Sequence, residues 1–362
     1  MKRRTVMLAV FVGLRMATAA SAQSVATRIE DQPDRKQLAI LIGPVDLPAM
    51  DMSHGNHDDI SMMVLPPVAT VTIPKDVYLH GFDFDVVDAE GKVVPRQVVH
   101  HLNLIDPGHR ELFLPISQRV GAIGGETGAQ DLGTVAKYIV GMPLKQGQQV
   151  VVSLMLHNPT GKDIKGATVR YYWKYLPGGR PWPLLGLQPF QMDVSFPAGD
   201  KSFDIPPGES SKSWEGKPSV PGRVMVIGGH LHELATSLRF EDVTNNRLIW
   251  EGKPHTDEEG NVNHLAIGYL YKTFGAKVQP ENTYRVSVTY VNPTADTLKG
   301  GGMGVVAGVF LPGDEWPATN LSDSLYVLDR RHYMREVRGQ LGKLKEINAA
   351  TPKHDESKPH KH

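Results

Sequence analysis

The chain of 362 residues has no cysteine, no net charge and only one long apolar run, and each absence removes a class of explanation. Without cysteine no disulfide framework exists, so the fold must rest on hydrophobic cores, and a soft metal ligand must be histidine or methionine rather than thiolate. The 39 Lys+Arg balance the 39 Asp+Glu, so no basic face calls for phosphate neutralisation and no nucleic-acid partner is expected. The apolar run, TVMLAVFVGL (5–14), follows Lys2, Arg3 and Arg4 and precedes Ala20-Ser21-Ala22. It is short for a bilayer span and has the layout of a cleaved signal peptide (1–22), which predicts a periplasmic or secreted protein with no membrane span after signal removal.

What remains is 40% hydrophobic, with 36 Gly and 27 Pro. Residues 23–67 read as a leader, with one possible strand, LAILIGPVDL (38–47), and a Met/His-rich segment, MDMSHGNHDDISMM (50–63). From 68 to 185 the chain alternates short runs of Val, Ile, Tyr and Phe with Gly, Pro, Asn and Asp, the pattern of β-strands and turns. PGGRPWPLLG (177–186) punctuates that pattern, and a second set of strand-like runs fills 186–315. The expected fold is therefore all-β, with two tandem antiparallel β-sandwiches of jelly-roll type. Residues 316–348 change period: Leu325, Leu328, Met334, Val337, Leu341 and Leu344 recur at helical spacing and predict a short helical segment. The His/Lys tail 349–362 has nothing to bury and is expected to be disordered.

Candidate chemistry lies with histidines. In MVIGGHLHEL (225–234), His230 and His232 sit two apart on a predicted strand and so project from one face, within reach of one ion. The same spacing also fits two half-buried histidines. His100 and His101 are adjacent, so they can converge on one ion only where the backbone bends or bulges. His157, in VSLMLHNPTG, is either a ligand or a strand cap, and Met303, in LKGGGMGVVAG, is either a soft ligand suited to copper or a core methionine. Phosphate-loop, nucleophile-elbow, dinucleotide and zinc-protease motifs are missing, and GGETG (124–128) reads as a loop. Asp83 and Asp85 alternate with Phe82 and Phe84 as on a half-exposed strand. His255 and His264 flank a polar loop, and His54 and His57 are suited to catching copper or are incidental to a linker.

Taken in order, VHHLNLI (99–105), LMLHNPTG (154–161), GGHLHEL (228–234) and GGGMGVVAGVF (300–310) resemble the copper type II, ascorbate-dependent monooxygenases, the family of peptidylglycine α-hydroxylating and dopamine β-monooxygenases. The resemblance spans roughly residues 70–312. It implies two copper ions per chain, one held by His100, His101 and His157 and the other, catalytic, by His230, His232 and Met303. It also implies a sandwich for each copper, a solvent-filled cleft between them, and O2, ascorbate or another reductant, and a small-molecule or peptide-like substrate as partners. Family members that amidate peptides hold the peptide carboxylate with an Arg two residues before the His-x-His pair and a Tyr four residues after the ligand Met. Here Gly228 and Ala307 stand at those positions, which argues against peptide amidation. A non-catalytic copper protein for storage, delivery or sensing is the alternative, and a binding sandwich with incidental histidines the third.

Overall fold

The computed structural model describes residues 25–50, 63–178, 183–196, 201–256 and 262–333. The expected signal peptide (1–22), residues 51–62 with His54 and His57, and everything after Tyr333 lie outside the described residues, including the tail and the second half of the expected helical segment.

The first unit runs β1 (Ala26–Gln32), β2 (Gln37–Leu47), β3 (Ala69–Thr72), β4 (Val77–Val87), β5 (Val93–Val94), β6 (Val99–Arg110), β7 (Ser117–Ile123), β8 (Gln130–Asp131), the helical turn α1 (Gly133–Ala136), β9 (Val140–Leu144), β10 (Gln149–Leu156), β11 (Ile164–Pro177) and β12 (Leu185–Gly186). One sheet has the order β1-β2-β11-β4-β9-β12, the facing sheet β3-β10-β6-β7. Pairing is antiparallel except between β9 and β12. The inward side chains of both sheets, among them Leu38, Ile40, Leu102, Leu154, Tyr171 and Trp173, make one buried core. On the same β4 strand Asp83 and Asp85 turn outward to Arg96 and Arg170, as the Phe/Asp alternation predicts.

The second unit runs β13 (Gln188–Asp193), β14 (Phe203–Ile205), β15 (Gly208–Gly216), β16 (Gly222–Leu231), β17 (Ala235–Asp242), β18 (Arg247–Gly252), β19 (Pro254–Thr256), β20 (Val262–Leu265), β21 (Ala276–Val278), β22 (Tyr284–Asn292), β23 (Leu298–Gly302) and β24 (Gly304–Pro312). Its sheets, β13-β24-β16-β21 and β15-β22-β17-β18, close on a core rich in aromatics, including Phe190, Phe240, Tyr284 and Phe310. The fold is thus two tandem antiparallel β-sandwiches with a short C-terminal helix, α2 (Ser324–Tyr333).

Three boundaries differ from the sequence expectation. The expected leader supplies β1 and β2, and β2 pairs along most of β11; its near-continuous apolar run is that of a strand buried on both faces. Leu112, Phe113 and Ile116, in the loop after β6, leave the first sandwich and enter the core of the second, where the Phe113 ring meets Phe190, Phe240 and Tyr284. Helix α2 starts only at Ser324, where Asp323 accepts the Leu325 N–H as an N-cap. It buries Tyr326, Asp329 and Tyr333, while Leu328 is exposed. The polar face turns inward because Arg119 donates to the Asp329 carboxylate at 2.9 and 2.6 Å and the Ser117 hydroxyl meets the Tyr333 hydroxyl at 2.8 Å. The helix that follows the second sandwich is therefore clamped onto β7 of the first.

Candidate metal centre at the domain interface

His100 and His101 open β6, and the bend that adjacent ligands require is present. In the β6/β10 ladder His101 pairs with Met155 and Val99 with Leu156, so His100 is the extra residue of a bulge. The two rings consequently lie on the same side, 4.1 Å apart. His157 follows the end of β10, its ring 5.3 Å from that of His100. From the second sandwich, His230 near the end of β16 and His232 just beyond it bring their rings within 5.0 Å of each other. His232 lies 5.6 and 5.8 Å from His100 and His101, and His230 lies 4.8 Å from His101. The Nε2 atoms of His101 and His230 share a hydrogen bond of 2.9 Å.

Five imidazoles from both sandwiches thus form one cluster. The separated pair of centres across a solvent-filled cleft, as the resemblance implies, is not the arrangement of the described residues: the His100 bulge and the domain contact bring both sets of rings together. Ligand nitrogens of His100, His101 and His232 all lie within 4.8 Å of one another. Nitrogens around one tetrahedral ion sit roughly 3.3 Å apart for metal–nitrogen bonds of about 2.0–2.1 Å, so small side-chain rotations close the gap.

The rings are held from outside. His157 Nε2–H donates to the Gln97 carbonyl, His232 Nδ1–H to the Gly301 carbonyl at 3.2 Å, and His230 Nδ1–H to Glu126 Oε1 at 2.6 Å. Each such bond leaves the second ring nitrogen as the lone-pair donor. Burial pushes the His101 pKa well below its ordinary value, and the neighbouring imidazoles push it further, so this ring is neutral and ligand-competent. A donor set of imidazoles fits a borderline or soft metal ion.

Met303 stands between β23 and β24, one position beyond the Leu231/Gly304 pair and hence beside His232. The buried Tyr290 hydroxyl ties the two together: it donates to the Met303 carbonyl at 2.5 Å and accepts the Met303 and His232 backbone N–H groups at 2.9 and 3.1 Å. Gly228 and Ala307, the positions of the missing peptide clamp, face each other as cross-strand partners. His255 and His264 form a separate cross-strand pair on the β19–β20 hairpin. Two residues near the bounds of the Met/His-rich segment lie close to His157: the Met50 N–H donates to the Asn158 carbonyl, and Val64 bridges to Leu156.

Two residues at this centre carry no motif. Tyr290 reads as one aromatic in an alternating strand, and Glu126 as part of a glycine loop. The available signal is the pair of glycines before a lone acidic residue, because a Cβ at Gly124 would stand 2.3 Å from Glu126 Oε2 and one at Gly125 2.7 Å from the Gln97 Cα.

Neither a scan of family models nor a search of curated proteins finds a match to the chain. Among solved structures, the chain is similar to the major capsid protein P2 of bacteriophage PM2, with 9% identity, TM-score 0.32, and coverage of 75% of this chain and 98% of that one. It is also similar to a chain of Sulfolobus Turreted Icosahedral Virus (8% identity, TM-score 0.18, 70% and 60% covered) and to one of the infectious bursal disease virus Gx strain (11%, 0.20, 75% and 75%). Overlaps this loose say nothing about function.

Proposed function

We propose that the protein is an exported copper-dependent monooxygenase, hydroxylating an organic substrate with O2 and an external reductant such as ascorbate, with its copper held by the interdomain histidine cluster. The observation that carries this reading is the way the rings are held. His157, His230 and His232 each give one N–H to a protein acceptor and keep the other nitrogen for the cluster, as metal-ligating histidines do. The resemblance of the four ordered motifs to the copper monooxygenases supports the choice of copper, as does Met303, since a thioether favours copper over harder ions. Bound copper would supply one-electron redox chemistry and O2 activation. The chain's own contribution is to hold His100, His101 and His157 from one sandwich against His230, His232 and Met303 from the other.

A non-catalytic copper-storage or delivery protein is the second reading, favoured by the direct contact between His101 and His230. That contact fills space which a substrate would need between the two sets of ligands.

Copper titration of the mature protein is the test. The resemblance implies two coppers per chain, here both drawing their ligands from the one cluster, with one lost in Met303→Ala or His230→Ala. Ascorbate-dependent O2 consumption that disappears in Met303→Ala supports the enzyme, and full copper loading without turnover supports the second reading. Absence of copper binding in the wild-type protein would sink both.

A further inference from the structure

Glu126 belongs to the first sandwich and His230 to the second, and their side chains meet at 2.6 Å in a nearly enclosed position, 12% and 20% exposed. The loop that carries Glu126 is shaped for this contact. Thr127 closes it, its N–H donating to the Gly124 carbonyl and its hydroxyl accepting the Gly124 N–H, both at 3.0 Å. Gly124 leaves the space that the Glu126 carboxylate occupies, and Gly125 lets the loop lie against the backbone of Arg96 and Gln97. Arg96 fastens it further, donating to the Thr127 carbonyl. The Gln97 carbonyl, on that same backbone, accepts the His157 ring, so one loop and its support hold a ring from each sandwich.

We propose that Glu126 is a positioning residue for the metal centre, an inference that rests on the copper reading for its role but not for its geometry. By accepting the Nδ1–H of His230 it selects the tautomer in which Nε2 is the donor nitrogen, and it turns that nitrogen toward His101. Since imidazole in water favours the proton on Nε2, a ring released from Glu126 would present the wrong nitrogen. Glu126 also leaves a fixed negative charge beside the centre, which favours a bound cation, and it makes the centre's assembly depend on the two sandwiches being docked. Outer carboxylates of this kind typically change metal affinity by about 10–100-fold.

The experiment compares wild type, Glu126→Ala and Glu126→Gln by long-range 1H–15N correlation of the histidine rings in the metal-free protein and by Cu(II) and Cu(I) titration. In wild type His230 should carry its proton on Nδ1. In Glu126→Ala the proton should shift to Nε2 and copper affinity should fall about 10–100-fold. Glu126→Gln, whose amide oxygen can still accept the bond, should keep the Nδ1–H tautomer and lose only part of the affinity. An alanine variant with the wild-type tautomer and affinity overturns the proposal. If that variant does not fold, a glutamine variant with unaltered His230 resonances and unaltered copper affinity overturns it. Should wild type bind no copper, the copper reading fails, and the tautomer comparison in the metal-free chains still decides the role of Glu126.

Discussion

In the first sandwich β10 is followed by His157 and then Asn158-Pro159-Thr160; the second ends β22 with Val291-Asn292 and then Pro293-Thr294. Both turns are built by the same bonds. The Asn158 amide donates to the Leu47 and Lys162 carbonyls, and its oxygen accepts the N–H and hydroxyl of Thr160. Asn292 does the same with the Ile205 and Asp296 carbonyls and with Thr294. Each turn leads to a Lys-Gly pair tied to an aspartate, Lys165-Gly166 on Asp46 and Lys299-Gly300 on Asp204, with both glycines in the left-handed region. The sheet orders β3-β10-β6-β7 and β15-β22-β17-β18 match as well. The sandwiches are therefore repeats of one plan. Asn-Pro-Thr recurs without a histidine in the second unit, so the turn serves the fold, and His157, which joins the histidine cluster, is an addition to it.

The largest effect should come from undoing the strap between the repeats. Arg119 is enclosed against Asp329, which is 1% exposed and also accepts the Ser117 N–H. Asp329→Ala would leave a buried guanidinium without its counter-charge, at a cost of about 3–5 kcal/mol. Calorimetry should show one unfolding transition in wild type splitting into two in the variant, with the first sandwich, which loses its helix, melting earlier. A single transition at the original temperature would mean that the sandwiches are coupled by the Phe113 loop alone.

The two asparagines allow a sharper comparison. Asn158→Ala and Asn292→Ala each strip buried carbonyls of their donor and should each cost about 2–3 kcal/mol in denaturant unfolding. Their stability losses should agree, since the bonds agree. Their copper affinities should not: only Asn158 adjoins a cluster histidine, so only that variant should weaken binding. Equal losses of affinity would place the dependence on global stability and not on the position of His157.

Much of this plan was legible in the residues, and the failures share a cause. Alternation exposed the strands because each has one buried face, and adjacency of His100 and His101 required the bulge that is found. The repeat itself was readable in NPTGKDIKG (158–166) and NPTADTLKG (292–300), which share Asn, Pro, Thr, Lys and Gly at equal spacing; its 134-residue separation hides it from any local pattern. Glu126 and Tyr290 were not legible, because what places them at the cluster is a partner far along the chain. The buried face of α2 was not legible, since apolar spacing marks an apolar inward face, whereas this one satisfies a buried arginine. The single cluster was not legible either, for motifs assign ligands to segments and docking decides which segments meet.

The smallest mutational cost, that of a variant compared at acidic pH, lies at the other end of the domain contact. Glu111 is fully buried, its carboxyl accepting the Arg119 N–H from the first sandwich at 2.7 Å and the Gln191 N–H from the second at 3.3 Å. Burial pushes its pKa up to about 8, against the lowering action of those N–H groups and the Arg119 charge. The folded protein thus keeps a proton that the unfolded chain, with an ordinary value of 4.5, releases. The stability it contributes is fully present below about 4.5 and is lost as pH rises through about 8. In that window Glu111 should remove about 1.4 kcal/mol per pH unit, seen as a falling denaturation midpoint. Glu111→Gln should abolish this slope while costing about 1 kcal/mol at acidic pH, because an amide nitrogen cannot accept the second N–H. If the slope persists in the variant, Arg119 holds Glu111 ionised throughout, and the contact between the repeats is a buried ion pair at every pH in the window.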